Sequence, residues 1–168
     1  REKDRMQDRE TVLSYIAFRI TDYKTYHFLE KKKFLDEMMT AIYGISKITL
    51  DEWLFDFRKA LITAKEIFGI EKVFKRPVKS GENEQWRFST HLFEIWTYTL
   101  AVSSENTRQK LLNDKVLIAR WFFNEALNDE KFIDALNNKP YSPQSVTIRF
   151  GKIVEFIKQW TDASENNR

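Results

Sequence analysis

Serines, threonines and carboxylates are plentiful in this sequence, but no set of them has the spacing of a catalytic or metal site. There are two histidines and no cysteine in 168 residues. The missing thiol excludes a disulfide, a thiolate zinc site and a cysteine nucleophile, and suits a reducing cytoplasm. His27 and His91 are far apart, and neither belongs to a metal-spaced pair such as HExxH, so both read as structural or surface residues. No GxxxxGK or GxGxxG loop could cradle a phosphate, and no GxSxG elbow presents a serine. The acidic pairs Asp51/Glu52 and Asp129/Glu130 fall at helix starts, where the helix dipole accounts for them. No catalytic residue, metal site or cofactor is therefore assigned to the chain itself.

The unusual charges lie within or beside apolar stripes. In HLFEIWTYTL, from His91, the residues Leu92, Phe93, Ile95, Trp96 and Leu100 cover well over half of a helical wheel. A helix that apolar is surrounded by other helices, and Glu94 sits inside it. An unpaired buried carboxylate is costly, so Glu94 requires a partner. Two arginines are placed to serve: Arg9, one turn before the stripe Val12, Leu13, Ile16, Ala17 and Ile20, and Arg149, at the edge of Val146, Phe150, Ile153, Ile157 and Trp160. The expectation is a structural ion-pair network of Arg9, Glu94 and Arg149 that fixes helix register. The sharper alternative leaves one arginine free to reach a phosphate at a domain junction.

Two basic segments offer nucleic-acid contacts. One is Lys31, Lys32 and Lys33, which also fits a solvated helix start. The other is Lys72, Phe74, Lys75, Arg76 and Lys79, in an irregular stretch broken by Pro77 and Gly81, where an aromatic among cations could stack a base. Phe55, Ile62, Trp121 and Phe122 point away from their own helices' core stripes and read as a docking surface. Small helical ribonucleases of the HEPN class carry an Arg and a His separated by four to six residues. Arg87 and His91 are separated by three, which disfavours that activity.

The elements that must position these residues are helices. Only four Gly and three Pro occur, while 42% of residues are apolar and 15% aromatic, a composition for long helices around a real core. Helices are expected over Asp8–Thr21, from Phe34 to a Gly44 cap, from a Thr49 cap to Phe68 with Gly69 closing, Ser89–Val102, Ser104–Leu112, Asp114–Leu127, Asp129–Leu136, and onward from Ser142-Pro143. Val116, Ala119, Phe123 and Leu127 would form one face of the sixth. No segment reads as a strand. The fold class is all-α, a single compact bundle of about eight helices over residues 1–168, with 1–7 and 162–168 frayed. The net charge of +3 permits nucleic-acid contact without arguing for it. No apolar run is long enough to span a membrane. The chain starts at Arg1, so a fragment of a longer multidomain protein is expected.

Five phrases occur in a familiar order: RMQDRETVLSYIAFRITDY (Arg5–Tyr23), FLDEMM (Phe34–Met39), FRKALITAKEIFG (Phe57–Gly69), HLFEIWTY (His91–Tyr98) and IRFGKI (Ile148–Ile153). Together they resemble the helical C-terminal region of the DGQQR-motif, ParB/sulfiredoxin-like family typified by GmrS/GmrD modification-dependent restriction systems. In that family the N-terminal module hydrolyses nucleotide, many members add a His-Asn-His nuclease domain, and the systems defend bacteria and archaea against phage. Neither DGQQR nor a His-Asn-His motif is present in this chain, so no family catalytic residue transfers to it. The resemblance implies a non-catalytic helical scaffold and regulatory region, whose parent uses an NTP and a divalent metal. The partners it implies are the missing nucleotide-hydrolysing module, a nuclease domain and DNA; a second copy of the chain is a further candidate.

Overall fold

The computed structural model describes residues 2–80 and 83–166. Among the described residues eight α-helices run in the order α1 (Glu2–Ile20), α2 (Lys31–Ile42), α3 (Lys47–Phe68), α4 (Thr90–Val102), α5 (Glu105–Asn113), α6 (Lys115–Asn124), α7 (Glu130–Asn137) and α8 (Pro143–Asn166). The bundle is all-α apart from one hairpin, β1 (Lys75–Ser80) and β2 (Asn83–Phe88), inserted between α3 and α4. No helix among the described residues is long and apolar enough to cross a membrane.

Helix α4 is the axis. All ten residues from Leu92 to Ala101 are buried, and α1, α3 and α8 pack around it. Leu92, Ile95, Trp96 and Leu100 are fully enclosed. The Trp96 ring meets Phe68 of α3 at 4.7 Å and Phe122 of α6 at 5.3 Å, both edge-on, the arrangement that the ring quadrupoles favour. On the other side, Phe150 of α8 lies 4.6 Å from Phe18, 5.4 Å from Tyr23 and 5.3 Å from Tyr98. The segment after α1 is thus a packed loop: Tyr23, Tyr26 and Phe28 are buried while His27 is exposed. The two buried threonines of α4 are satisfied locally. The Thr97 hydroxyl donates to the Phe93 carbonyl at 2.6 Å and Thr99 to Ile95 at 2.8 Å.

Several caps follow the sequence. Ser89, Ser104 and Asp129 accept the N–H of Leu92, Thr107 and Phe132, and Ser142 accepts that of Ser145 ahead of Pro143. Gly69 closes α3 with a positive φ of 74°, a conformation that costs glycine little. Other expectations need correction. The α3 cap is Ser46, which accepts the Thr49 N–H at 3.1 Å, so Thr49 lies in the first turn. Tyr43, not Gly44, ends α2, and it does so in right-handed geometry. Helix α1 begins at Glu2 and α8 reaches Asn166; residues 1, 167 and 168, part of the ends expected to fray, lie outside the described residues. On α6 the buried positions are Ile118 and Phe122, whereas Val116 and Leu117 are exposed.

The hairpin is the element that the sequence hid. Phe74 takes a left-handed φ of 57°, rare and strained for a bulky residue. That turn swings the chain into β1 and buries the Phe74 ring 4.9 Å from Phe93. The strands pair antiparallel, with Arg76 opposite Arg87 and Pro77 opposite Trp86. Trp86 faces inward onto Phe123 at 5.4 Å, which seats the hairpin on α6.

The cap assignment is testable on α3. Ser46→Ala should lower stability by about 1 kcal/mol in urea unfolding, and Ser46→Asp should restore it. Thr49→Ala should cost well under half as much; equal losses at the two positions would contradict the capping seen here.

Candidate functional site

The polar centre of the molecule is built by α4, α8 and the loop between α7 and α8. Glu94 and Arg149 are both fully buried, with Arg149 Nη1 2.8 Å from Glu94 Oε2. The second carboxylate oxygen accepts the hydroxyl proton of Tyr141. That tyrosine is held just before α8 by a loop in which Lys139 takes a left-handed φ of 46°. The guanidinium carbon of Arg149 lies 5.2 Å from the Tyr141 ring, 5.3 Å from Phe150 and 5.9 Å from Phe18. The rings supply part of the cation's environment, because Arg149 Nε and Nη2 have no hydrogen-bond partner. His91, one turn before Glu94, packs edge-on against Tyr141 at 5.5 Å. Lys31 of α2 reaches over the same ring at 5.4 Å and pairs with Glu10 at 2.6 Å.

The electrostatics follow from this packing. Burial alone would raise the Glu94 pKa, but the charge of Arg149, with the hydrogen bond from the Tyr141 hydroxyl, outweighs it and holds the carboxyl below its ordinary value. Burial, followed by the charge of Arg149, pushes His91 down to about 4, so the imidazole is neutral at physiological pH. Burial and the neighbouring carboxylate raise the Tyr141 phenol far above its usual range. The cluster is therefore an ionised Glu–Arg pair capped by a protonated tyrosine and a neutral histidine. Such a set fixes helix positions. Its carboxylate is sealed from solvent, so a solute could reach it only if α4 and α8 separated.

The expected triad is corrected at one position. Arg9 is exposed near the start of α1, and Tyr141 occupies the place on Glu94 that Arg9 was expected to take. The stripe that carries Arg9 explains this: Val12, Leu13 and Ile16 are only half-buried, so the N-terminal end of α1 lies at the rim. A phenol eight residues before Arg149 carries no charge to mark it in sequence, which is why Tyr141 was missed.

Arg108 was also missed. Its guanidinium is buried and donates to the carbonyls of Leu100 at 3.0 Å and Ser103 at 2.5 Å, and to Glu105 at 2.9 Å. It thereby satisfies carbonyls that the end of α4 leaves without intrahelical partners. Lys59 of α3 joins the same Glu105 at 3.0 Å.

The basic segments do not form one surface. Lys31 is engaged as above, Lys33 lies 3.8 Å from Glu30, and Lys32 is exposed. Lys72 sits over the Trp86 and Phe123 rings at 4.7 and 5.3 Å. Phe74 is buried, so the expectation that it stacks a base is overturned. Lys75 and Arg76 are half-buried on β1, and the side chain of Lys79 lies outside the described residues. The docking surface divides too. Phe55 and Ile62 are exposed, but Phe122 is a core residue and Trp121 stacks parallel on Phe156 at 3.4 Å; these two are corrected to internal contacts. Arg87 projects from β2 and donates to Gln85 at 3.3 Å, while His91 faces Tyr141, so the structure shows no joint ribonuclease site for them. Among the described residues no three acidic or imidazole groups converge on a metal position. Comparison of the chain with protein-family models, curated proteins and solved structures returns no match.

Two outcomes follow from the buried cluster. Glu94→Gln or Arg149→Met alone should cost roughly 3–5 kcal/mol, since each strands a buried polar partner. The double variant Glu94→Leu/Arg149→Met should cost clearly less than the sum. Additive losses in urea unfolding would contradict a coupled pair. For His91, the folded protein binds fewer protons than the unfolded chain between pH 6.5 and about 4, so stability is complete above 6.5 and falls as pH drops through that window. Above about pH 5, before carboxylates titrate, the slope should approach about 1.4 kcal/mol per pH unit. His91→Gln should flatten it; an unchanged slope would mean that another group titrates.

Proposed function

We propose that this chain is a non-catalytic helical scaffold and regulatory region of a prokaryotic, nucleotide-dependent and modification-dependent restriction protein, working in the cytoplasm. The five ordered phrases suggest the parent. On this reading the parent hydrolyses an NTP with a divalent metal in a separate N-terminal module and acts on phage DNA, directly or through an attached nuclease domain. The chain holds those parts in register.

One observation carries the scaffold reading: α3 is apolar on two sides. Its inner stripe, Phe57, Ala60, Ala64, Ile67 and Phe68, is buried against the bundle. On another side Ile48, Phe55 and Ile62 recur every seven residues with exposures of 73%, 59% and 63%. A seven-residue apolar repeat is the spacing by which one helix meets another, and isolated exposed apolar residues would need no such order. Sealed polar groups in the core suit a rigid spacer. The nucleic-acid alternative, built on residues 31–33 and 72–79, is weakened by the engagement of Lys31, Lys33 and Lys72 and by the burial of Phe74.

The test is association with the N-terminal module encoded beside this chain. Phe55→Ser/Ile62→Ser should weaken it at least about tenfold, equal to about 1.4 kcal/mol, with the melting temperature unchanged within a few degrees. Undiminished association in sedimentation measurements would remove the docking role. The absence of a DGQQR motif upstream of Arg1 in the gene would remove the proposed parent.

A further inference from the structure

We infer that the outer face of the β1–β2 hairpin is a phosphate-binding clamp made by Arg76 and Arg87. The inference is independent of the scaffold reading and rests on the strand register. Ser89 donates its N–H to the Phe74 carbonyl at 2.9 Å. Hydrogen-bonded pairs alternate along an antiparallel ladder, so the next such pair is Arg76 with Arg87, directly opposed, with Cα atoms about 5.5 Å apart. Inward-facing Trp86, one position along β2, places these arginines on the other face. Like charges in direct cross-strand opposition disfavour a hairpin.

Among the described residues no carboxylate neutralises the pair. Among the described residues neither arginine takes part in an ion pair, and the partner of Arg87 is the neutral Gln85 amide, two residues back on the same face. That bond engages one arm of the Arg87 fork. Arg76 is partly withdrawn from water, and this desolvation draws its pKa down. A half-desolvated cation beside another is an arrangement that an oxyanion completes. Two planar forks at this separation can share the non-bridging oxygens of one phosphate. The register thus supplies what the lysines of the basic segment lack: two guanidinium groups on one face, each without a counter-charge among the described residues.

The phosphate could belong to a nucleic-acid backbone or be free in solution, and two probes distinguish the sources. The first is a short fluorescein-labelled DNA duplex titrated with the 168-residue chain at low salt and read by anisotropy. Arg87→Gln should weaken binding about tenfold and reduce the slope of log affinity against log salt by about one. Arg76→Lys, which keeps the charge and loses the fork, should weaken it severalfold. The melting temperature of Arg87→Gln should equal or exceed that of the parent chain, because a cross-strand repulsion is relieved, and that of Arg76→Lys should stay within a few degrees of it. The second probe is inorganic phosphate, read as a rise in melting temperature that Arg87→Gln abolishes. Arginine-dependent DNA binding supports the clamp and assigns it to nucleic acid. An arginine-dependent response to inorganic phosphate without DNA binding supports it for a mobile phosphate. Failure of both probes, DNA affinity indifferent to both substitutions, or affinity lost only in proportion to folded protein would overturn it.

Discussion

Everything in this fold has to accommodate one carboxylate. Glu94 stands in the middle of a helix buried on every side, where an unpaired charge would cost several kcal/mol. The solution draws on a distant part of the chain: a guanidinium from α8 and a phenol from the loop ahead of it. Because both partners must arrive in one geometry, the pair sets where α8 crosses α4. The rings around Arg149 then determine the packing of α1, since Phe18 and Phe150 touch each other as well as the cation. Apolar volume alone would leave several sliding positions for helices this rich in Phe. A directional pair at the centre selects one of them.

The hairpin solves a different problem at the other side of α4. Phe93 needs cover that neither α1 nor α8 provides, and it receives Phe57 from α3, Phe74 from the strained turn and Phe88 from β2. The strain at Phe74 is offset by burying its ring, and the same turn directs the following residues outward as a two-stranded arm. Core packing and an exposed basic face are thus two results of one backbone conformation.

Where the sequence was legible, a single physical rule dominated. Helix-scale periodicity and serine or aspartate caps located eight helices, and the apolar circumference of Leu92–Leu100 marked the axis. The need for a partner on Glu94 pointed to Arg149 because a buried charge has few remedies. Legibility failed where two rules competed. Lys72–Phe88 holds Pro77 and Gly81 among charged residues, so breaker residues and lysines masked a two-residue period that only Trp86 and Phe88 on β2 carry. Arg9 shares a stripe with apolar residues but stands where that stripe leaves the core, and a helical wheel contains no information on depth. Trp121 and Phe122 lay off the assumed face of α6 because the real face is centred on Ile118 and Phe122.

The separation between Glu94 and its partners also orders the way the chain is made. Arg149 lies 55 residues after Glu94, and Tyr141 lies 47 after it. During synthesis, α4 and the elements before it leave the ribosome while that carboxylate has no cation to meet. The central helix cannot be sealed at this stage without neutralising Glu94 or leaving it in water. Final closure therefore waits for the first turns of α8, and a helix made long after α4 is the one that licenses the core. Interactions of such sequence separation slow folding, and they couple the two halves into one cooperative unit. A chain ending before Arg149 would retain most of its apolar surface and lose the means to enclose its own axis.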